Sequence, residues 1–360
     1  MNDPGTDDLR AGEDKEGNNM EQITIREIAR LCGVGVSTVS RAINNHPDIN
    51  EETKTKILET IRAYNYVPNN SARNLKRSES STSALLVKGI SNPFFGGMLG
   101  TLEREIEKYR YSFVLEHVED HEDEIETAIR LEKEKRLKGV IFLGGMLRHS
   151  RESYERLTLP FVVATVHMQL PETVKNGAVV SMDDEAESMR LVDRLCQMGH
   201  RRIAMLTAAR EDQSIGFSRL QGYRRALEEH GIAYDENLVV YSRKDDSYTM
   251  QNGYAMMQEL LEREVPFTCV YGASDTLAVG ACKAIFDAGK NVPGDYSVAG
   301  FDGLDIAQFY QPDIMTVCQP REQMAVEAVE ILLALIRGRK VRQKVVFEGS
   351  IREGKSVKII

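Results

Sequence analysis

The stretch "GVGVSTVSRAINNHPDINEET", residues 33–53, decides how this chain begins. Short polar side chains crowd around Arg41 on what reads as a short helix, Val36 to Asn44. Upstream, "TIRE" (Thr24 to Glu27) is a capping box, with Thr at the N-cap and Glu three residues on. Ile25, Ile28, Ala29 and Leu31 form the apolar face of that first helix, and Gly33 suits the left-handed turn that ends it. Downstream, Asn50 caps a third helix, with Glu51 and Glu52 in its first turn and Ile57, Leu58 and Ile61 on one face.

Two short helices joined by a Gly-containing turn, with a third behind them, make a helix-turn-helix. In that motif the second helix lies in the major groove. Its short hydroxyls bond phosphates or bases, and Arg grips guanine or phosphate. Val36, Ser37, Thr38, Ser40, Arg41 and Asn44 are therefore the candidates for reading DNA. The competing account is a capped helical hairpin with a solvated face. In "YVPNNSARNLKR", residues 66–77, Leu75 stands among Ala, Asn and basic side chains. Such an apolar wedge beside cations suits insertion into a kinked minor groove; otherwise it is a packed linker helix. "SESSTS", residues 78–83, reads as a Ser-rich linker.

From residue 84 the texture changes. Short β-rich runs ("SALLVKGI", "YSFVLEHV", "GVIFLGG", "FVVATVH", "AVVSMD", "RIAMLTA", "LVVYS", "TCVYGAS", "YSVAGFD") alternate with amphipathic stretches. That order implies parallel sheets covered by helices on both faces. There are too many strands for one ordinary open sheet. The expected fold is a small all-α head, a hinge, and a two-lobed α/β core with doubly wound parallel sheets. Ligands then bind beyond the carboxyl ends of the strands.

The boundaries follow. Residues 1–19 are acidic and Gly-rich and read as a disordered tail; Met20 is a second possible start. Residues 20–67 form the head, 68–83 the hinge, 84–350 the core and 351–360 a terminal end. Within the core, lobe 1 takes residues 84–177 and 321–347, and lobe 2 takes 178–318. The formal charge of −9 is uneven: −4 over residues 1–19, +2 over 20–80 and −7 over the rest. A basic head on an acidic body is a weak sign of a nucleic-acid partner. Five scattered cysteines without a C-x-x-C favour reduced thiols over a disulfide framework or a zinc site. The first residues carry no apolar export segment, and no run spans a membrane. The chain is expected in the cytoplasm.

The segment from Ile23 to Lys76 resembles the DNA-binding head of the lactose/galactose repressor (LacI/GalR) family. The resemblance continues through "ISNPFF", "GHRRIAML", "SRLQGYRRALEEHGI", "ASDTLAVGACKAI" and "VPGDYSVAGFDG". It implies a homodimer, with a tetramer allowed, on a pseudo-palindromic operator, repressing a carbohydrate-utilisation operon. Hinge segments that order on DNA insert a Leu pair at the central step. A small effector between the lobes, a saccharide by expectation, sets DNA affinity, with no cofactor and no metal. The resemblance adds Thr24 and His46 to the DNA-contacting set, and Asn69, Ser71, Ala72 and Leu75 in the hinge. Gly35 departs from the family's usual Ser at the cap of the reading helix, so no side-chain contact is available there.

For the effector, Phe94 and Phe95 are aromatics placed to stack on a sugar or base, or else they pack in the core. Arg219 in "SRLQGY" matches the family's ligand-gripping Arg, and Asp302 in "GFDG" its hydroxyl-accepting carboxylate. Ser274 and Asp275 end another strand. Thr165 and His167 end the fourth, where many relatives carry Asp and Arg. His117 and His121 flank carboxylates in "EHVEDHEDE", yet their places on a strand end and a helix start argue against a metal site. No G-x-S-x-G, H-E-x-x-H or Walker lysine is present, which disfavours an enzyme. A periplasmic sugar receptor would lack the helix-turn-helix. The remaining alternatives are control by a protein partner, as in catabolite-control relatives, and a purine- or nucleoside-responsive repressor.

Overall fold

A computed structural model of the chain describes residues 23–43, 45–64, 66, 82–119, 122–145, 149–210, 215–243 and 247–360. The chain divides into two compact units, Met1–Glu79 and Ser80–Ile360. Asn44, Asn69, Ser71, Ala72 and Leu75, the tail of residues 1–19 and His121 lie outside the described residues.

The head contains α1 (Ile25–Cys32), α2 (Val36–Ile43) and α3 (Glu51–Ala63). Both halves of the Thr24–Glu27 capping box form, and Gly33 ends α1 at φ 72°, a backbone state costly for any residue with a Cβ. Asn50 caps α3 by accepting from the amides of Glu52 and Thr53. Ile28, Ala29, Cys32, Val39, Ala42 and Ile57 make the small core. Leu31, expected on the apolar face, is 43% exposed; Cys32, one residue on, takes the buried place.

The core begins with β1 (Thr82–Lys88), α4 (Pro93–Lys108), β2 (Ser112–Val118), α5 (Glu124–Lys135), β3 (Val140–Leu143), α6 (Arg151–Arg156), β4 (Phe161–Ala164) and β5 (Gly177–Met182). It continues with α7 (Asp184–Gln197), β6 (Ile203–Thr207), α8 (Ile215–Glu229), β7 (Val239–Tyr241), α9 (Met250–Glu262), β8 (Cys269–Gly272), α10 (Asp275–Asp287), β9 (Ser297–Asp302), α11 (Asp305–Phe309) and β10 (Met315–Cys318). It closes with α12 (Arg321–Ile336), β11 (Lys344–Phe347) and β12 (Ser350–Arg352).

Lobe 1 is a parallel sheet in the order β11-β5-β4-β3-β1-β2. Lobe 2 has the order β12-β10-β9-β8-β6-β7, with only β12 antiparallel. Central strands such as VIFL in β3 and FVVA in β4 are buried on both faces, as helix-covered parallel strands must be.

Three boundaries differ from the sequence reading. Thr82 and Ser83 belong to β1 and not to the linker. The break between lobes falls after Met182, because β5 is buried along its whole length and pairs with both β4 and β11. The last ten residues are part of lobe 2: β12 pairs with β10, and the Ile360 amide donates to the Met198 carbonyl at 3.0 Å. Strands β10, β11 and β12, none of them read from the sequence, complete the two sheets.

Candidate functional site

The head offers a polar face on α2. Val36, Ser37 and Arg41 are exposed, while Thr38 and Ser40 are half-buried. Arg41 Nη1 lies 3.3 Å from Asp48 Oδ2, and His46 Nδ1 lies 2.6 Å from Asp48 Oδ1. One carboxylate thus organises two of the candidate DNA contacts. Thr24 is committed to its cap: its hydroxyl is 2.9 Å from Glu27 Oε2 and accepts the Glu27 amide at 3.4 Å.

In the core, Arg219 and Asp302 come together as expected. Arg219 Nη2 lies 3.2 Å from Asp302 Oδ1. The same guanidinium bonds Asp184 at 2.9 Å through Nε and 2.8 Å through Nη2, donates to the Ala273 carbonyl at 2.5 Å, and stacks 3.8 Å over the Phe301 ring. Arg219 is 1% exposed, so it is a buried ion-pair centre and not an open grip. Burial works against its charge, but Asp302 and Asp184 more than offset that and raise its pKa.

Asp302 closes β9 with φ 118°, a strained conformation for a non-glycine residue. Gln319 Nε2 donates to its Oδ1 at 2.8 Å. Its other oxygen, Oδ2, is fully buried and has no hydrogen-bond partner among the described residues. Burial raises the Asp302 pKa to about 6 against the opposing pull of Arg219. The Asp184 carboxyl is also raised, again chiefly by burial.

The other candidates divide. Ser274 is the N-cap of α10 and accepts the Leu277 amide at 3.2 Å. Asp275 has both oxygens engaged, by the Thr316 hydroxyl and the Leu304 amide. Phe94 and Phe95 meet edge to face with centroids 5.5 Å apart, inside the lobe 1 core that also takes in Leu304 of lobe 2. Both rings are therefore packed in the core. A Cβ on Gly144, at φ 70°, would sit 2.8 Å from Phe95 Cζ, which fixes that turn as glycine. Thr165, at φ 78°, accepts the Gly144 amide at 3.2 Å. His167 lies 3.3 Å from Ser181 Oγ and 3.1 Å from Lys344 Nζ, beside the crossover that leads to Asp184.

Sequence reading missed Asp184, Gln319 and Phe301. Asp184 follows the strand "AVVSMD", so inspection of strand ends could have found it; Gln319 follows β10, a strand not read. His117 pairs with Glu119, at 3.4 Å. A tighter cluster, Asp123, Glu124 and His149, forms at the start of α5. Both His149 nitrogens face carboxylates, and Lys88 Nζ already stands 3.4 Å from Glu124 Oε1, so that cluster has its own cation.

Comparison with known proteins agrees with this geometry. The model of bacterial regulatory proteins, lacI family, matches residues 24–69, and the periplasmic binding protein-like domain matches residues 192–357. The chain is 39% identical over 318 residues to the HTH-type transcriptional regulator MalR of Clostridium butyricum, covering 87% of this chain and 93% of that protein. It is 31% identical to the ribose operon repressor of Haemophilus influenzae, covering 87% and 92%. Among solved structures, the transcriptional regulator CelR–cellobiose complex matches with a TM-score of 0.68 at 29% identity, covering 93% of this chain and 99% of that one. The lac repressor dimer bound to operator and the anti-inducer ONPF shares the fold, with a TM-score of 0.74 at 21% identity over 94% of this chain and 100% of that one. With a helical head that matches the lacI family model ahead of a two-lobed core, the chain belongs to the lacI family of bacterial regulatory proteins and is a DNA-binding transcriptional regulator.

Proposed function

We propose that the chain is a dimeric repressor of a carbohydrate-utilisation operon, acting in the cytoplasm, and that a saccharide hydroxyl binds at Asp302. The observation that carries this reading is Asp302 Oδ2, a buried acceptor without a donor among the described residues. Leaving such an atom unsatisfied costs about 1–3 kcal/mol, which a ligand hydroxyl recovers. The strained backbone of Asp302 fits the same role, since strain gathers at ligand sites. Arg219 holds the carboxylate in place and supplies the positive surroundings. Effector control then requires that the sugar favour one lobe arrangement, because equal affinity for two arrangements shifts nothing. The relatives support the ligand class: one carries ribose in its name, and another was solved with cellobiose.

The test is a thermal-shift screen of mono- and disaccharides with a purine nucleoside as contrast, since a ligand for the native state raises its melting temperature. The saccharide that scores is then titrated into Asp302→Asn. Loss of the shift with operator binding retained is expected. An unchanged titration removes Asp302 from the site, and a screen with no saccharide responder favours control by a protein partner.

A further inference from the structure

The parallel sheets give each lobe two unlike edges. Strands point toward the carboxyl edge, and the helices return the chain to the amino edge. The helix-to-strand turns therefore gather there. In lobe 1 these turns are "KYRY" (108–111), "KRLKG" (135–139), "RLTLP" (156–160) and "IRGRKVRQ" (336–343). Together they carry ten basic side chains and no acidic one, in a chain whose net charge is −9. The corresponding turns of lobe 2 are "QMGHRR" (197–202), "EHGIAYDENL" (229–238), "EREVPFT" (262–268), "DAGKNVPGDY" (287–296) and "FYQPDI" (309–314). They carry four basic and eight acidic residues, so the positive edge belongs to lobe 1 alone.

The lobe 1 turns adjoin one another. Lys138 donates its amide to the Thr82 carbonyl at 2.9 Å, and the Arg337 guanidinium lies 5.4 Å from the centre of the Tyr109 ring. Arg337, Arg339, Lys340 and Arg342 all lie in the last of these turns, and none has a carboxylate within ion-pair distance among the described residues. Like charges held together unpaired are unfavourable by themselves; a polyanion relieves them. The edge has one further property. β1 begins on it, at Thr82, and the helix-turn-helix precedes β1 in the chain.

We infer that the amino edge of lobe 1 is a second DNA-contacting surface, on which the turn 337–342 engages backbone phosphates outside the bases read by α2. It supplies sequence-independent attraction, so it strengthens binding to operator and random DNA alike. An acidic protein partner is the rival occupant. DNA is favoured because the chain already carries a DNA-binding head and because four helix-to-strand turns with ten basic and no acidic side chains complement a phosphate backbone.

The experiment compares the full-length protein with the variant R337Q/R339Q/K340Q/R342Q. Fluorescence anisotropy is measured with operator centred in duplexes of about 20 and about 50 base pairs, over a range of salt. Binding to the longer duplex is expected to weaken about tenfold or more, and its log K against log salt to become shallower by roughly 0.9 for each phosphate the variant no longer neutralises. The weakening is equal on random DNA, while the melting temperature is unchanged. Two controls separate this from other effects. R201Q/K290Q on lobe 2 removes charge without touching the edge and leaves DNA binding unchanged. Arg41→Ala weakens operator far more than random DNA, so failure of the head is distinguishable from failure of the edge. Unchanged affinity and salt slope on both duplexes overturn the inference, as does a variant that keeps DNA binding and loses only an acidic protein.

Discussion

The Asp275 carboxylate accepts the Leu304 amide and the Thr316 hydroxyl, each at 2.6 Å. One side chain thereby ties the start of α10 to β10 and to the turn that follows Asp302. Leu304 itself is buried in the lobe 1 core with Phe94 and Phe95. Asp275 is a positioning residue. It holds the Asp302 turn and seats the leucine that links the lobes.

Asp275→Ala is expected to destabilise the core by about 1–3 kcal/mol for each donor left unpaired. Asp275→Asn is milder, because the Thr316 hydroxyl can turn to accept from the amide. The two also differ from wild type in pH dependence. Burial, helped by nearby Asp302, raises the Asp275 pKa to about 7. The folded protein then holds a proton that the unfolded chain has released. Stability from this group is full below the ordinary carboxyl range and falls as pH climbs through about 7. Urea unfolding of wild type and Asp275→Asn between about pH 4 and pH 8 measures this. A stability difference between them that does not change with pH would count against it.

The buried ion triad changes which mutants are informative. Arg219 faces two carboxylates, Asp184 and Asp302, with all three almost fully buried. Arg219→Ala strands both charges, and breaking a buried pair costs about 3–5 kcal/mol. Loss of effector response in that variant would reflect an unstable lobe. Urea unfolding should show the large deficit for Arg219→Ala and a much smaller one for Asp302→Asn, which leaves the Arg219–Asp184 pair intact.

How far this was legible in the sequence depends on the range of the interaction involved. Caps at Thr24, Gly33 and Asn50 are local, and the structure has them where the sequence put them. Most of the first nine strands, β3, β4 and β5 among them, were visible because parallel strands buried on both faces read as apolar runs; β2 is an edge strand and only partly buried. β11 and β12 were not visible, because they are partly exposed edge strands without an apolar run, and the short buried run of β10 was passed over. The Arg219–Asp302 meeting followed from the family resemblance, since no spacing announces a pair 83 residues apart. Asp184 lay within reach of strand-end inspection, two residues past β5, but its pairing with Arg219 is as remote in the chain; Asp275 looked like a ligand contact because its partners Leu304 and Thr316 are remote too.

His149 gives an independent pH effect. Its Nε2 lies 3.2 Å from Glu124 Oε2 and its Nδ1 3.3 Å from Asp123 Oδ2. The Glu124 hydrogen bond raises the His149 pKa, with burial and Lys88 acting against it and Asp123 in favour. A raised histidine contributes stability below its ordinary value near 6.5, lost as pH rises through the folded one. His149→Gln should be less stable than wild type at about pH 6, and the gap should narrow by about pH 8.5. An NMR titration of the imidazole is the direct measurement; a midpoint below about 6.5 would refute the assignment.

The head carries the last prediction. Arg41 reaches across the exposed face of α2 to Asp48, which also holds His46. Both partners are about half exposed, at 58% and 49%, so the pair contributes little to stability, on the order of 0–1 kcal/mol. If this face of α2 meets DNA as proposed, the pair acts on recognition: Asp48 orients Arg41 yet presents an anion toward phosphates, so Arg41 would exchange one negative partner for another. Arg41→Ala should weaken operator binding by about 1–3 kcal/mol if the guanidinium reads a base, and relax preference at one position of each half-site. Asp48→Ala should act in the opposite sense on random DNA, because one repulsive charge is gone, while the loosened Arg41 lowers the ratio of operator to random affinity. Anisotropy titrations on both duplexes measure that ratio. Equal gains on operator and random DNA for Asp48→Ala would mean that Asp48 only repels, and that Arg41 finds its base without being held.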